Sequence, residues 1–556
     1  MAANVEDLAG YWKWLNTDAS QWRTLWQELA DYILNRKNDI TTKIRPGSKR
    51  TAKVYDSTPI RANELLASGM QGSLTSAAVR WFKLAMADEE LNELQAVAEW
   101  LDDTTDRIYK ALNNSNFGAE MQEVYIDLGA FGTAALYLDE MPPIPPDIFG
   151  GFRFKTFPIG SYVISEDSRG SVNFVIRELD LPLKVAKELW DTKLSEKLRN
   201  KAEKNPFERA TFLQAVYARP GINAEEVGLD TLATHKPWAS VYFEPETKTL
   251  LQEGGFDEFP FMVPRWTKTS GEVYGRGPGM TALPDIRTLN KAVQERFIAW
   301  GLALRPPLEV RDRSVVGRVK LTSASINTTR GPDAIKPIDL GTNFDVTNFQ
   351  EEQIRNSIRA IFFSDQLQFP PKQGTPISAT EAAIRFELMQ RILGPTLGRL
   401  ESELLSPLIS RAFSVMARAG ALLPAPGILT GEDSSMEIRF EGPLSRVQRA
   451  SELDDINRFY GHTLPLLQAD ESFAQIFADT VNGEEVLRQI ADVTGLRAKL
   501  LRTPDQVAAR QKARTEAMEQ QTEMDSMAEN MGKAAPMVKA LQGAQEGQPP
   551  AGSEAA

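Results

Sequence analysis

Between residues 283 and 304 the apolar positions repeat at a helical period. Leu283, Ile286, Leu289, Val293, Phe297, Trp300 and Leu304 mark one face, and Asp285, Arg287, Lys291 and Glu295 fill the rest. Arg305-Pro306-Pro307 ends that helix, because proline cannot continue it. The pattern then changes to short alternating runs such as Val315-Val316-Gly317-Arg318-Val319-Lys320-Leu321, so 308–346 reads as a compact β insert. The helical period returns from Phe349 to Phe363, with Ile354, Ile358, Ile361 and Phe362 on one face and Arg355 and Arg359 on the other. Two helices around an insert predict an antiparallel stalk with a small module at its tip. A loop follows from Asp365 to Thr375, centred on Pro370-Pro371-Lys372-Gln373-Gly374. Ser378-Ala379-Thr380-Glu381 is a capping box, opening a helix that Ile384, Leu388, Ile392, Leu400, Leu404, Leu408 and Phe413 carry to about Ala419. Such a helix would span roughly 60 Å, with kinks expected at Pro395 and Pro407.

Upstream, Trp14, Trp22, Trp26, Leu29 and Ile33 predict one amphipathic helix within the first 35 residues. Lys37 to Lys53 is basic and polar and reads as a loop. Asp56-Ser57-Thr58-Pro59 starts a helix, with a hydroxyl cap before a proline whose missing N–H costs nothing there. The small residues that follow let another backbone approach closely. Trp81-Phe82-Lys83-Leu84 reads as a short strand or turn, Glu90–Asn113 and Phe117–Gly129 as helices, and Ala134–Leu138 as a strand. Short β runs then recur at Phe152–Phe154, Tyr162–Ile164, Phe174–Ile176, Ala215–Tyr217 and Ser240–Phe243, interrupted by a helix near 182–203. The sum is an α+β, mainly helical chain with antiparallel strands. Val273–Gly279 is rich in glycine but fits neither the P-loop nor the dinucleotide spacing, and reads as a flexible hinge between body and stalk. After the strand Met436–Phe440 the chain returns to helices over 444–503. The final stretch predicts a helix to about 530 and then disorder.

Composition changes this picture little, except in what it excludes. With 556 residues the chain is long enough for several domains. There is no cysteine, which excludes disulfides, thiolate metal sites and a cysteine nucleophile. The two histidines, His235 and His462, lie far apart and read as surface or packing residues. No apolar run is long enough to cross a membrane, and Met1–Asp7 lacks a signal-peptide pattern. The net charge of −12 argues against a conventional DNA binder but not against a channel through which a polyanion slides. Against that acidity the insert carries Arg311, Arg313, Arg318, Lys320, Arg330 and Lys336, an excess suited to a phosphate backbone or an acidic partner. No catalytic, cofactor or metal set emerges. The pairs Asp102-Asp103 and Asp454-Asp455 are adjacent, and helix neighbours do not share a face as two-metal chemistry needs.

Three blocks, in this order, carry a resemblance: Pro59-Ile60-Arg61-Ala62-Asn63-Glu64-Leu65-Leu66-Ala67-Ser68, Ser270-Gly271-Glu272-Val273-Tyr274-Gly275-Arg276-Gly277, and Thr375-Pro376-Ile377-Ser378-Ala379-Thr380-Glu381. With the helix–insert–helix order they make residues 5 to 500 resemble the portal (head-to-tail connector) proteins of T7-like short-tailed bacteriophages. The resemblance implies a dodecameric ring with a central channel at one capsid vertex of the virion, assembled in the host bacterial cytoplasm. It implies a wing (1–280 and 379–443), stem helices (281–304 and 349–363), a clip (305–348), a tunnel loop (364–378), a crown (444–510) and a tail (511–556). Duplex DNA would pass through the channel, touched at points such as Lys372 and Gln373. The expected partners are the terminase large subunit, which would supply ATP hydrolysis, the tail adaptor, the major capsid and scaffolding proteins, and internal core proteins. No membrane or cofactor is implied. Another virion structural protein, an adaptor or core component, and a nucleic-acid-processing enzyme are the alternative readings.

Overall fold

The computed structural model describes residues 4–310 apart from 46, 79, 144, 146–148, 221, 223–231 and 306. It further describes 335–337, 344–367, 394–430, 436–440 and, in the C-terminal part, 456–463, 465, 476–477, 480–494, 500, 502 and 506–524. The chain divides into two compact units, one of 1–87 with 103–451 and one of 88–102 with 452–556.

The larger unit opens with two helices where one was expected, α1 (Val5–Asp18) and α2 (Ser20–Tyr32). The break falls at Ala19, whose amide is shared between the carbonyls of Leu15 and Thr17. Breaking there lets α1 set Tyr11 against Phe174 of the sheet, with ring centroids 4.9 Å apart, while Trp26 packs on Tyr274. Trp26, Leu29 and Ile33 are buried, as the periodicity predicts, but Trp14 is exposed.

Helix α3 (Thr58–Leu74) starts at the predicted place, with Pro59 in its first turn. The cap differs: the Asp56 carboxylate, not the Ser57 hydroxyl, accepts the Thr58 amide at 2.8 Å. Its small face meets α6 (Phe117–Phe131) closely, with the Asn63 side chain lying against Gly129 and donating to the Ile126 carbonyl at 3.0 Å. The predicted strand near Phe82 is β1 (Phe82–Met86). The helix expected over Glu90–Asn113 is α4 (Glu89–Glu93), which belongs to the smaller unit, followed by α5 (Gln95–Asn113), of which the residues to 102 belong to it.

Among the described residues, the two larger sheets of the body are these. The first has order β3-β2-β9, from β2 (Ala135–Glu140), β3 (Phe152–Phe157) and β9 (Phe261–Met262). The second is an antiparallel meander of β4 (Tyr162–Glu166), β5 (Val172–Pro182), β6 (Arg209–Ala218), β7 (Trp238–Phe243) and β8 (Leu250–Phe256). Each β run in the sequence is a strand here. Between β5 and β6 the predicted helix is two, α7 (Leu183–Trp190) and α8 (Glu196–Lys204). They roof the sheet through Ala186, Trp190, Leu194, Phe212 and Leu251. Burying side chains of this size contributes roughly 1.5–3 kcal/mol each.

The stalk helices are α9 (Pro278–Leu304) and α10 (Phe344–Ile361), followed by the short α11 (Ser364–Leu367). Helix α9 begins five residues before the expected Leu283, because Pro278 sets the helical φ immediately after Gly277. Of the insert, β10 (Leu308–Val310) and β11 (Ile335–Pro337) are described and pair antiparallel, Glu309 opposite Lys336. Of the long helix, 394–400 is helical, Glu401–Leu405 is a wider π-turn, and α12 (Ser406–Arg418) continues with Pro407 in its first turn. The irregularity precedes Pro407 as expected; the start of this helix lies outside the described residues. The strand β12 (Met436–Phe440) pairs with β1, Phe82 opposite Phe440. The smaller unit holds α13 (Gly483–Thr494) and a helical stretch over 506–524. Among the described residues, no helix is long and apolar enough to cross a membrane.

Candidate functional site

The geometry that bears on function is the helical stalk, its hold on the body, and the insert it carries. Helices α9 and α10 run antiparallel, since Asp285 bonds Ser357 at 2.7 Å while the later Arg296 reaches the earlier Glu351, also at 2.7 Å. The body half of α9 is buried through Ala282, Leu283, Ile286, Leu289 and Val293. Toward the insert the burial stops. Phe297, Ile298, Trp300, Leu302 and Leu304 on α9, and Phe349 on α10, are exposed within the chain. An apolar cluster of this kind on an otherwise polar stalk marks an interaction surface.

The stalk is clamped electrostatically. Glu351, with its side chain 1% exposed, receives Arg296 at 2.7 Å and Arg355 at 3.0 Å. Arg355 also reaches Asp56 at 3.0 Å, tying the stem to the start of α3. Burial disfavours the Asp56 charge, but the Thr58 hydroxyl and amide and the Arg355 guanidinium outweigh it and hold the carboxyl below its usual range. Arg359 pairs with Glu352 at 2.9 Å. The arginines on this face are therefore committed to carboxylates of the same chain. Arg296 further lies over the Trp300 ring at 5.2 Å, a cation–π contact.

The glycine-rich segment before α9 is not the flexible hinge expected. Tyr274 is buried against Trp22 and Trp26, and the Gly275 amide donates to the Thr133 hydroxyl at 2.8 Å. Gly277 lies on the backbone of Leu128 and Gly132, and Gly279 on that of Gly129 and Ala130. The glycines serve close backbone approach between α6 and α9, where a hinge would leave room. Arg265 locks the same corner. Its side chain, 1% exposed, bonds Glu403 of the π-turn and Glu166 of β4, each at 2.8 Å, and the carbonyls of Gly170 and Val273. Arg411 and Arg418 of α12 both reach Glu258, so the helix after 394 is pinned to the body at three places along its length.

Of the candidate contact residues, Lys336 is exposed on β11. Arg311, Arg313, Arg318, Lys320 and Arg330 of the insert, and Lys372 and Gln373 of the loop, lie outside the described residues. Arg265 and Glu351 escaped the sequence reading, and Asp56 entered it only as part of a helix start, without its partner Arg355. Arg265 had a visible signal, a lone charge in the run Phe259-Pro260-Phe261-Met262-Val263-Pro264-Arg265-Trp266. Glu351 had none. Among the described residues, no group of three or more acidic or histidine side chains could hold a metal ion.

The chain belongs to the family described as bacteriophage head to tail connecting protein, whose sequence model matches residues 5–501. It is 30% identical over 527 residues to the probable portal protein of Bordetella phage BPP-1, covering 92% of this chain and 91% of that one. To the portal protein of Salmonella phage epsilon15 it is 28% identical over 534 residues, covering 94% and 92%. Among solved structures, a chain in the neck of an empty GTA particle aligns with 76% of this chain and 94% of its own length, at 12% identity and a TM-score of 0.34. The function is that of a portal, a structural role and not an enzymatic one. The nucleic-acid-processing and adaptor readings fall with it.

Proposed function

We propose that copies of this chain close into a ring, twelve in number by family resemblance, around a channel through which duplex viral DNA is packaged and later ejected. In this reading 1–280 with 379–443 is the wing, α9 and α10 are the stem, 305–348 is the clip, 364–378 is the tunnel loop, 444–510 is the crown, and 511–556 is a tail. The clip docks the terminase large subunit and afterwards the tail adaptor. The wing and crown meet capsid, scaffolding and internal core proteins, and the ring stands at the head–tail junction of the virion.

The observation that carries this reading is the stem tip. Phe297, Trp300 and Leu304 share one face of α9 while Ile298 and Leu302 share another, and all five are exposed in the single chain. A helix with apolar side chains on two faces needs two neighbours, and head-to-tail repetition of one contact closes a ring. The test is electron microscopy of the purified protein. End-on views with one rotational symmetry and a hole wider than duplex DNA are expected. Monomers at high concentration, both alone and with capsid protein, would refute it.

A further inference from the structure

A second basic element, separate from the insert, sits beside the stem. It is the loop between α2 and α3, built as a closed Ω-like turn whose ends are tied together. The Asn38 side chain donates to the Arg50 carbonyl at 3.3 Å, and Arg50 reaches back to the Arg36 carbonyl at 2.8 Å. Gln27 of α2 holds the entry: its Oε1 accepts the amides of Ile40 and Thr41 at 3.1 and 2.9 Å, and its Nε2 donates to the Asn38 carbonyl at 2.8 Å. The exit is fastened to the stem, where Asn290 of α9 donates to the Lys53 carbonyl at 2.8 Å and accepts the Tyr55 amide at 2.7 Å. The loop is thus a formed projection, fixed at the level of Asn290.

Its charges divide into two kinds. Arg36, Lys37, Arg50 and Lys53, at its base, pair with Glu123, Asp127, Asp39 and Asp31. Lys43, Arg45 and Lys49, at its tip, are exposed and form no ion pair among the described residues. In a chain with net charge −12, three unpaired cations within seven residues are a local reversal of sign. Around them stand Thr42, Ser48 and Thr51, all exposed, and the one large apolar side chain at the tip, Ile44, is half-buried.

We propose that Lys43, Arg45 and Lys49 form a sequence-independent contact for the phosphate backbone of duplex DNA. Phosphates are met by lysine, arginine and small hydroxyl side chains, which is the composition of this tip. A protein partner would call for an apolar centre and few lysines, and the tip has the opposite. The inference rests on the reading of the chain as a DNA conduit, and it adds a grip on DNA from the body side of the stem.

The test compares full-length protein with the Lys43→Ala/Arg45→Ala/Lys49→Ala variant, measuring binding of a labelled duplex of arbitrary sequence as salt is raised. Each phosphate contact contributes about 0.9 to the slope of log affinity against log salt, so the variant's slope should be shallower by about 2.7. Between about 50 and 200 mM salt the wild type should then lose ~40-fold more affinity than the variant does. If the triple variant does not fold, Lys43→Gln/Lys49→Gln should flatten the slope by about 1.8. Equal slopes, or no duplex binding by wild type at the lowest salt, overturn the proposal. So does a variant that keeps the wild-type slope but no longer forms rings, which would assign the tip to a neighbouring copy. A flattened slope in a protein that never forms rings would uphold the contact while refuting the ring.

Discussion

Replacing Gly132 by alanine should loosen the root of the stem. Gly132 ends α6 in the left-handed region, φ +73°, and a Cβ there would lie 2.4 Å from the Gly277 amide nitrogen and 2.6 Å from both the Arg276 carbonyl carbon and the Gly275 carbonyl oxygen. All three obstacles are backbone atoms, so no side chain can swing aside. The left-handed conformation costs an alanine about 1–2 kcal/mol. Forcing apart a close-packed contact costs about 1–3 kcal/mol more, giving about 2–5 kcal/mol in all. Gly151 separates the two contributions. Its φ is +97°, but nothing lies within 4 Å of the position a Cβ would take, so Gly151→Ala should pay only the conformational cost. Gly72, within α3 and equally open, should gain about 0.5–1 kcal/mol on becoming alanine. Urea midpoints of the three variants, with limited proteolysis around 270–280, measure the series. The expected order of stability is Gly72→Ala, wild type, Gly151→Ala, Gly132→Ala, with new cleavage near residue 275 only in the last. If Gly132→Ala is no worse than Gly151→Ala, the backbone contact does not hold α9 to α6 and the packed-root account is wrong.

The remaining predictions concern charge. Arg265→Ala removes the one group that joins Glu403 to Glu166, leaving Glu166 with Lys268 and Glu403 with Arg399; it should cost about 1.5–3 kcal/mol, and Arg265→Lys should recover only part of it, because an ammonium lacks the fork that spans both carboxylates; thermal unfolding of the two variants checks this. Asp127 is fully buried, and burial pushes its pKa from 3.8 up to about 6 although Lys37, 2.6 Å away, pulls it down. The folded state then binds more protons than the unfolded one between those values, so this group's contribution to stability is present below pH 4 and lost as pH rises through about 6. Against Asp127→Asn, the wild type should lose up to about 3 kcal/mol across that window, and a pH-independent difference would contradict the assignment. Reversing Arg311, Arg313 and Arg318 together should impair docking of the packaging motor or tail adaptor while rings still form; normal docking in a pull-down would remove the clip assignment.

How much could be read before folding depended on the range of the interaction. Helix faces and strands are written locally, in the periods 3.6 and 2, so α3, α6, four of the five meander strands and both stalk helices were legible, as was the irregularity before Pro407, while β8 was not read. Breaks were less so. Ala19 carries no breaker residue, and α1 turns from α2 only because Tyr11 and Trp26 pack on different parts of the body. The glycines at 275, 277 and 279 suggested freedom on their own. Brought against Gly132 and α6 by the fold, they are positions where only glycine fits.

Long-range partners were beyond the sequence. Phe82 marked a strand, but nothing near it named Phe440 as its neighbour in the sheet. Glu351 and Glu352 are the same residue at adjacent positions, yet one side chain is 1% exposed between two arginines and the other is 51% exposed on the outer face. The sequence determined that both lie on an amphipathic helix following a basic insert, because backbone hydrogen bonding and apolar spacing are local. Only the tertiary structure decided which carboxylate closes the stem, because a buried charge is set by the groups that other parts of the chain bring to it.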